Sequence, residues 1–360
     1  MNRRIISILT MTLFASIGHC QSIKKFTTEL SLPITSVKDQ HRSGTCWAYA
    51  TLGYFESELL RMSGKEYDLC EMYVVNKDYM DCARHYVRLH GYSQISEGGS
   101  CDDVLSVIRE YGICPEHAMP HPGSLTGDSL ANFTDFFPLL EKTVRGVVIK
   151  GAKSPASDWE STVQRLIDSN VGSCPSTFTY EGKTYTPVSF AESLGLKYDD
   201  YVSLTSFTHH PFRRWFVIEA PYKWRLKPSY NVPIDELMDA LDDALDKGYT
   251  VAWGGDVSGD FTHTGLAELP IGVVPTQEMR QSQFDDWRFT YDHVMLIYGK
   301  AKDSSGNPYY MVKNSWGTVG NYDGIWYMSR DYMKLNTVYL FLNKCGLSKA
   351  LRKEVEEPIF

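Results

Sequence analysis

The 360-residue sequence lacks a basic excess: it has 36 Lys and Arg against 44 Asp and Glu, a formal net charge of −8. Proteins that bind nucleic acid usually carry a surplus of Lys and Arg, so nucleic acid is not predicted as a partner. After the first twenty residues, no apolar run approaches the roughly 18 residues of a membrane-spanning helix, and no membrane span is predicted. Internal repeats and low-complexity tracts are also absent.

Hydrophobic residues make up 43% of the chain and charged residues 22%. Both values are typical of a soluble globular protein and exclude wholesale disorder or a collagen-like fibre. Aromatic residues reach 13%, which favours a large packed core or a substrate groove lined by rings. The length allows one large domain or two ordinary ones.

The N-terminus has the pattern of a secretory signal peptide. A start with two arginines is followed by an apolar stretch over residues 5–17, and Gly18 and Cys20 lie at the expected −3 and −1 positions. We therefore predict a signal peptide over 1–20 and export to the periplasm or the medium. A buried N-terminal helix is disfavoured because the run has no amphipathic period. A lipoprotein modified at Cys20 is disfavoured by His19, where a small residue is expected.

Seven cysteines remain in the predicted mature chain: Cys46, Cys70, Cys82, Cys101, Cys114, Cys174 and Cys345. In an exported protein an odd count leaves at least one thiol unpaired, and the other six allow up to three disulfides whose connectivity stays open. No C-x-x-C pair occurs, so a zinc ribbon or a thioredoxin-type site is not predicted.

Helical and strand-like patterns occupy different parts of the chain. Apolar residues at helical spacing predict helices over Cys46–Met62, Tyr67–His90, Asp102–Tyr111 and Ile234–Lys247. Short β-rich runs between turn residues predict strands over Thr250–Trp253, His293–Tyr298, Tyr309–Lys313, Ile325–Met328 and Val338–Leu342. The order of helices before strands indicates an α+β protein with two lobes. We divide the predicted mature chain, residues 21–360, as follows: a helical lobe at 40–120, insertions and loops at 120–230, a sheet lobe at 231–343 and a C-terminal tail at 344–360.

The segment around Cys46 is a candidate nucleophile site. A cysteine at a helix N-terminus is exposed to the helix dipole and to unpaired N–H groups, and both lower the pKa of its thiol. The Cys46 N–H and the Gln40 side-chain amide could together form an oxyanion hole, and Gly44 permits close backbone approach at the turn. Alone, the segment is equally compatible with a buried structural cysteine.

Two later segments supply the partners that a cysteine nucleophile needs. His293 opens a predicted strand and could take the thiol proton and return it to the leaving amine. Asn314 follows another strand and could orient the imidazole through its side-chain oxygen, with Trp316 shielding that bond from water. A buried core histidine is the usual interpretation of a single His, but the three segments together predict a Cys-His-Asn site.

These motifs resemble those of the papain-like cysteine peptidases. The resemblance rests on three motifs: Gln40-x-x-Ser43-Gly44-x-Cys46-Trp47, Asp292-His293-x-Met295 and Lys313-Asn314-Ser315-Trp316-Gly317. It implies a two-lobed fold, with a helical N-terminal lobe, an antiparallel β-sheet or barrel as the C-terminal lobe, and the active site in the cleft between them. It also implies Gln40 as oxyanion donor, Cys46 as nucleophile, His293 as base and Asn314 as orienting residue.

Further segments resemble the bleomycin hydrolase and aminopeptidase C branch in particular. They are Tyr230–Ile234 with the helix after it, Ala252–Gly259, and the long separation of Cys46 from His293. Glu97-Gly98-Gly99-Ser100 resembles the glycine pair of the substrate groove, where a bare backbone edge can pair with an extended peptide. We therefore predict Gly98, Gly99, Trp316 and Trp47 as substrate-binding residues and peptides as substrates.

The sequence departs from that branch in three ways. The branch is otherwise thought of as cytosolic, whereas an export signal is predicted here. The chain is shorter than typical members, so we expect the insertion that builds their hexamer to be absent, and a homo-oligomer is an open expectation. In that branch a C-terminal arm lies in the cleft and its carboxylate captures the free amine of the substrate. Whether Phe360 reaches Cys46 decides between an aminopeptidase and an endopeptidase, and a surface helix at 344–360 is the alternative.

No metal and no cofactor is predicted. His117, His121 and the pair His209-His210 fit no common ligand spacing and are interpreted as loop histidines. Two other functions are considered: a transglutaminase-type acyl transferase, which would prefer Asp where Asn314 stands, and a silent peptide-binding relative, which would usually have lost the nucleophile or the base.

Overall fold

A computed structural model describes residues 23–119, 130–148, 157–259 and 261–356. The predicted signal peptide over 1–20, the alternative lipidation site Cys20 and the C-terminal Phe360 lie outside the described residues. Within the described part, none of the helices combines the length and apolar character that crossing a bilayer requires.

Ten α-helices lie in the described residues. Their bounds are α1 Cys46–Ser63, α2 Glu71–Arg88, α3 Cys101–Tyr111, α4 Phe136–Val147, α5 Trp159–Val171, α6 Pro187–Ser193, α7 Ile234–Asp246, α8 Gln277–Asp285, α9 Arg330–Asn336 and α10 Lys349–Glu356. The four predicted helices are confirmed as α1, α2, α3 and α7. Helix α1 is buried along most of its length and ends where the Gly64 N–H donates to the Leu60 carbonyl.

Twelve strands lie in the described residues. Their bounds are β1 Phe26–Ser31, β2 Phe178–Tyr180, β3 Lys183–Tyr185, β4 Tyr201–Thr205, β5 Trp215–Phe216, β6 Ser229–Asn231, β7 Val251–Gly255, β8 Leu266–Ala267, β9 His293–Asp303, β10 Pro308–Lys313, β11 Ile325–Ser329 and β12 Thr337–Asn343. Ten of them form one sheet in the order β5-β6-β4-β12-β7-β9-β10-β11-β8, with β1 paired to β9. The sheet is antiparallel except for the short β4–β6 and β8–β11 pairs.

The central strand β9 lies between two hydrophobic cores. Val294 and Leu296 belong to the core that contains α1, whereas Met295 and Ile297 belong to the core that contains α7. Alternate residues of a strand point to opposite faces of its sheet, so a strand covered on both faces is apolar throughout. In this arrangement the N-terminal end of α1 contacts the beginning of β9, where the Val294 N–H approaches Cys46.

The stretch 120–230, predicted as insertions and loops, contains helices α4–α6 and strands β2–β6 as well as irregular segments among its described residues. Helices α4 and α5 pack their apolar residues at i, i+4 and i+8 against the first core, with Phe136, Leu140 and Val144 in α4. Strands β4, β5 and β6 extend the main sheet. The prediction missed these helices and strands because this helical spacing was overlooked and because very short strands carry no periodic signal.

Helix α10 occupies much of the predicted C-terminal tail. Leu351 and Val355 are buried in the core that contains α7, and the Glu354 carboxylate accepts hydrogen bonds from Arg213 at 2.8 Å and Tyr230 at 3.0 Å. Among the seven described cysteines no disulfide is formed. The described tail is therefore anchored beside α7 by packing and by an ion pair.

Candidate active site

The sheet topology brings together three distant parts of the chain. Cys46 is the first residue of α1, which packs on β9, and His293 is the first residue of β9. Asn314 directly follows β10, which runs antiparallel to β9 with Lys313 opposite Leu296. In an antiparallel pair the end of one strand lies beside the start of the other. The nucleophile, imidazole and carboxamide segments therefore meet at one edge of the sheet.

A cleft of about 430 Å³ opens at this edge. Most of the predicted site residues line it, namely Gln40, Cys46, Trp47, Gly98, Gly99, His293 and Trp316, together with Gly44, Glu97, Tyr222, Val257, Tyr291, Asp292 and Val294. Asn314 is buried behind His293. The fold thus collects all eight predicted residues at one place.

The hydrogen bonds of Asn314 determine which nitrogen of His293 carries the proton. Asn314 Oδ1 accepts from the Ser315 N–H at 2.8 Å and lies 2.8 Å from His293 Nε2. Since the Ser315 N–H can only donate, the oxygen side of the carboxamide must face the ring. His293 is therefore protonated at Nε2, and Nδ1 is left as the acceptor for a thiol proton.

Trp316 covers the pair. Its ring centroid lies 4.9 Å from that of His293 at an interplanar angle of 33°, and it also contacts the rings of Phe261 and Trp326 edge-on. These contacts hold the indole over the imidazole and exclude water from one side of the His293–Asn314 hydrogen bond, which strengthens it.

The Gln40 side chain is fixed from both ends of its amide. Its Oε1 accepts from Ser315 Oγ at 2.6 Å, and its Nε2 donates one hydrogen to the Ser43 carbonyl at 2.7 Å. An amide nitrogen has two hydrogens, so the second is available to the cleft that Gln40 lines. Cys46, as the first residue of α1, has an N–H without an acceptor inside the helix. The two donors are suited to a developing oxyanion.

The glycine pair is shaped by its neighbours. A Cβ on Gly99 would lie 2.8 Å from Trp47 Cδ2, closer than real Cβ contacts, so a side chain there would displace the indole. Trp47 is completely buried and donates its Nε1–H to the Glu97 carbonyl at 3.2 Å. Ser100 continues the segment as the capping residue of α3. Trp47 therefore supports the groove wall from behind.

The family is decided by a sequence comparison. The model of the Peptidase C1-like family matches residues 73–360, well over half of the chain. The chain belongs to this family. It is a cysteine peptidase, and the resemblance found in its motifs is confirmed.

Curated relatives and a solved structure agree with this assignment. Aminopeptidase E of Lactobacillus helveticus is 24% identical, with 93% of this chain and 86% of the relative covered. Aminopeptidase C of Listeria monocytogenes is 25% identical, with 90% and 83% covered. PepW of Lactobacillus rhamnosis superposes with a TM-score of 0.75 at 19% identity, covering 92% of this chain and 84% of PepW. The peptidase has the predicted α+β, two-lobed papain-like fold.

Burial favours the uncharged forms of Cys46 and His293. Desolvation raises the pKa of the Cys46 thiol to about 12, although backbone N–H groups of Val294 and Trp47 act in the opposite direction. Desolvation also lowers the pKa of His293 to about 4, against the effect of the hydrogen bond that its Nε2–H donates to Asn314. The Trp47 N–H at the start of α1 lowers the pKa of the thiol as predicted, but burial, which the motif does not reveal, has the larger effect and raises the pKa overall.

The lowered pKa of His293 predicts an acid sensitivity. The unfolded chain, with an imidazole pKa of 6.5, binds the proton before the folded chain does as the pH falls toward 4. The free energy of unfolding therefore falls across this window, by about 3 kcal/mol from this residue. Urea unfolding of the natural chain and of His293→Gln at pH 7 and pH 4 measures this effect. Between the two pH values, the free energy of unfolding should fall by about 3 kcal/mol less in the variant than in the natural chain. Equal losses in both proteins would contradict the burial effect.

Three residues of the cleft were not singled out by the sequence. Tyr222 packs its ring within 3.0 Å of the Cβ position of Gly98, and the Tyr291 hydroxyl donates to the Gly99 carbonyl at 2.6 Å. Tyr222 is held there because Lys223 Nζ forms a 2.6 Å ion pair with Asp102. Glu97 is the third and reaches into the cleft beside Gly44. The positions of Glu97 next to Gly98 and of Tyr291 two residues before His293 could have indicated two of them beforehand.

The His209-His210 pair, predicted as loop histidines, forms a compact group with Glu219. Glu219 accepts from the two Nε2 atoms at 3.0 and 2.9 Å, and the three potential ligand atoms lie within 4.8 Å of one another. Gln281 donates its Nε2–H to His209 Nδ1, and its oxygen is already occupied by the Thr208 N–H. His209 is therefore protonated at Nε2, whereas coordination through Nε2 needs a proton at Nδ1. The hydrogen bonds of His209 therefore fit a group held together by its own hydrogen bonds better than a set of metal ligands.

Proposed function

We propose that the peptidase removes residues from the amino end of peptides with Cys46 as nucleophile, His293 as general acid and base, Asn314 as orienting residue and Gln40 as oxyanion donor. The observation that carries the proposal is the 2.8 Å contact of His293 Nε2 with Asn314 Oδ1 at a cleft that Cys46 also lines. Relatives at 24% and 25% identity are named aminopeptidases, which supports action from the amino end.

The proposed reaction begins with a neutral Cys46 thiol and a neutral His293 imidazole. Cys46 Sγ attacks the carbonyl carbon of the peptide bond as its proton moves to His293 Nδ1, and the carbonyl oxygen becomes an oxyanion held by Gln40 Nε2–H and the Cys46 N–H. The C–N bond then breaks as His293 returns the proton to the leaving amine, which leaves a thioester. Water, deprotonated by His293, attacks the thioester and releases the acid, and the thiol regains its proton.

An endopeptidase is the second candidate. A neighbouring cavity of about 670 Å³ shares Tyr222, Tyr291 and Asp292 with the cleft. The groove thus extends beyond the glycine pair and has room for more than one residue on that side. Room for further residues on this side favours a substrate that continues beyond the residue next to the cleaved bond.

A pair of reporters distinguishes the two activities. We expect alanyl aminomethylcoumarin amide to be hydrolysed with a kcat/KM about tenfold or more above that of its acetylated counterpart, because a free amine contributes binding energy only at a site that recognises it. The Gln40→Ala variant should reduce the rate on the free-amine reporter by about 100-fold, as one oxyanion donor is lost. Equal hydrolysis of both reporters by the natural chain would support the endopeptidase instead.

We also propose that the peptidase is exported. The charged start, apolar stretch and small-residue exit of residues 1–20 support this. A mature N-terminus at Gln21 in the extracellular or periplasmic fraction is expected, and a lipid on Cys20 would indicate the alternative. Size-exclusion chromatography with light scattering would establish whether the mature chain forms a homo-oligomer.

A further inference from the structure

Glu97 is an acidic side chain in the wall of the catalytic cleft. Its carboxylate accepts a hydrogen bond from the Gly44 N–H, and Gly44 lies two residues before the nucleophile. A Cβ on Gly44 would lie 3.2 Å from the Glu97 side chain, so the acid lies flat against this glycine. This contact places the carboxylate beside Cys46 on the side of the glycine pair.

The backbone of Glu97 is fixed by two further donors. Its carbonyl accepts from Trp47 Nε1 at 3.2 Å and from the Tyr79 hydroxyl at 3.1 Å. Both donors belong to buried helices of the lobe that carries Cys46. A side chain held at both its backbone and its carboxylate loses little conformational freedom when it binds a ligand, and this makes binding stronger.

The charge of Glu97 is only partly compensated. Desolvation raises its pKa, and the Gly44 N–H is the hydrogen bond that lowers it. Asp292 is the other acid that lines the cleft, and no Lys or Arg is found among the described lining residues. A partly buried carboxylate with one donor has unused acceptor capacity, which an ammonium group would fill with a charge-assisted hydrogen bond.

We propose that Glu97 binds an ammonium group of the substrate residue whose carbonyl Cys46 attacks. The ammonium is either the free α-amine of the peptide or the ε-amine of a lysine side chain. This inference rests on the proposed function and assigns the recognition of the amine to a residue of the helical lobe. Glu97 is a specificity-determining residue in this role, and it takes no part in bond breaking.

Four reporters with one leaving group test the proposal: alanyl, acetyl-alanyl, acetyl-lysyl and acetyl-glutaminyl aminomethylcoumarin amides. Glu97→Gln keeps an oxygen for the Gly44 N–H but removes the charge. We expect it to lower kcat/KM about 10- to 100-fold on the reporter that carries the recognised ammonium, mainly through KM, and to change the acetyl-alanyl and acetyl-glutaminyl rates less than about threefold. The alanyl and acetyl-lysyl arms distinguish the two sources of the amine.

Two variants control for indirect effects. Glu110→Gln makes the same change at an exposed position of α3 and should leave all four rates unchanged. Glu97→Asp retains the charge and should recover part of the lost kcat/KM. An equal loss on all four reporters, or no loss on any, would overturn the proposal.

A binding measurement separates this proposal from the proposed function. In the Cys46→Ala background, alanyl-alaninamide, its acetylated form and acetyl-lysinamide can be titrated by calorimetry without turnover. We expect Glu97→Gln to weaken the ligand with the recognised ammonium, either alanyl-alaninamide or acetyl-lysinamide, about tenfold and acetyl-alanyl-alaninamide hardly at all. If the natural chain hydrolyses none of the reporters, the aminopeptidase proposal fails while this measurement still decides the role of Glu97; unchanged affinities would refute it.

Discussion

Replacing Cys46 with Ala is expected to lower kcat of the peptidase by at least about 1,000-fold, down to the background set by binding and the oxyanion donors. The reason is that no other described thiol lines the cleft. A nucleophile and its base act as one unit, so the loss of either removes almost the whole effect of both. The fall in kcat is measured by comparing hydrolysis of the free-amine reporter by the purified natural chain and by the purified Cys46→Ala variant.

Two controls make the result specific. Cys345→Ser alters a partly exposed thiol elsewhere in the fold and should keep full activity. His293→Ala should lose about as much activity as Cys46→Ala, and the double variant should lose little more than either one alone. Activity of Cys46→Ala within tenfold of the natural chain would show that the reaction does not use this thiol.

Replacing Glu56 with Ala is expected to destabilise the fold by about 3–5 kcal/mol, because the buried Lys313 loses the anion that most favours its charge and Lys38 loses one of its three carboxylate partners. Glu56 is completely buried in α1. Its carboxylate accepts from Thr35 Oγ1 at 2.6 Å, from the Leu69 N–H at 2.9 Å and from Lys38 Nζ at 3.1 Å.

The same cluster lies directly beneath the active site. Lys313, the neighbour of Asn314, is buried here and donates to the Thr35 carbonyl at 3.2 Å and hydroxyl at 3.1 Å. Desolvation lowers its pKa to about 8, and the charge of Glu56 acts against that shift. Without Glu56 the folded state should favour a neutral Lys313.

Equilibrium urea unfolding at pH 7 measures the effect. Glu110→Ala makes the same substitution at an exposed position and should change the free energy of unfolding by less than about 0.5 kcal/mol. Glu56→Gln, which keeps the shape and loses the charge, should fall between the two. A change of less than about 1 kcal/mol in Glu56→Ala would show that Lys313 and Lys38 do not depend on this carboxylate.

The helices of the chain were predictable where one apolar face repeats without interruption. Helices α1, α2, α3 and α7 begin and end within a few residues of their predicted bounds. The same physics would have found α4 and α5, whose apolar residues recur every four positions. Strands β5 and β8 have two residues each and exist only because longer strands pair with them, and so no local pattern could indicate them.

The chemical groups of the site could be identified from the motifs alone. Gln40, Cys46, His293 and Asn314 lie in recognisable motifs, and each motif calls for one side-chain chemistry. The tertiary structure alone decided their protonation and their surroundings, since both depend on burial and on contacts between distant segments. In the folded protein the pKa of the Cys46 thiol is raised, the Asn314 oxygen faces His293, and Tyr222 and Glu97 line the cleft. A pKa and a hydrogen-bond partner are properties of a three-dimensional environment, which a linear motif does not contain.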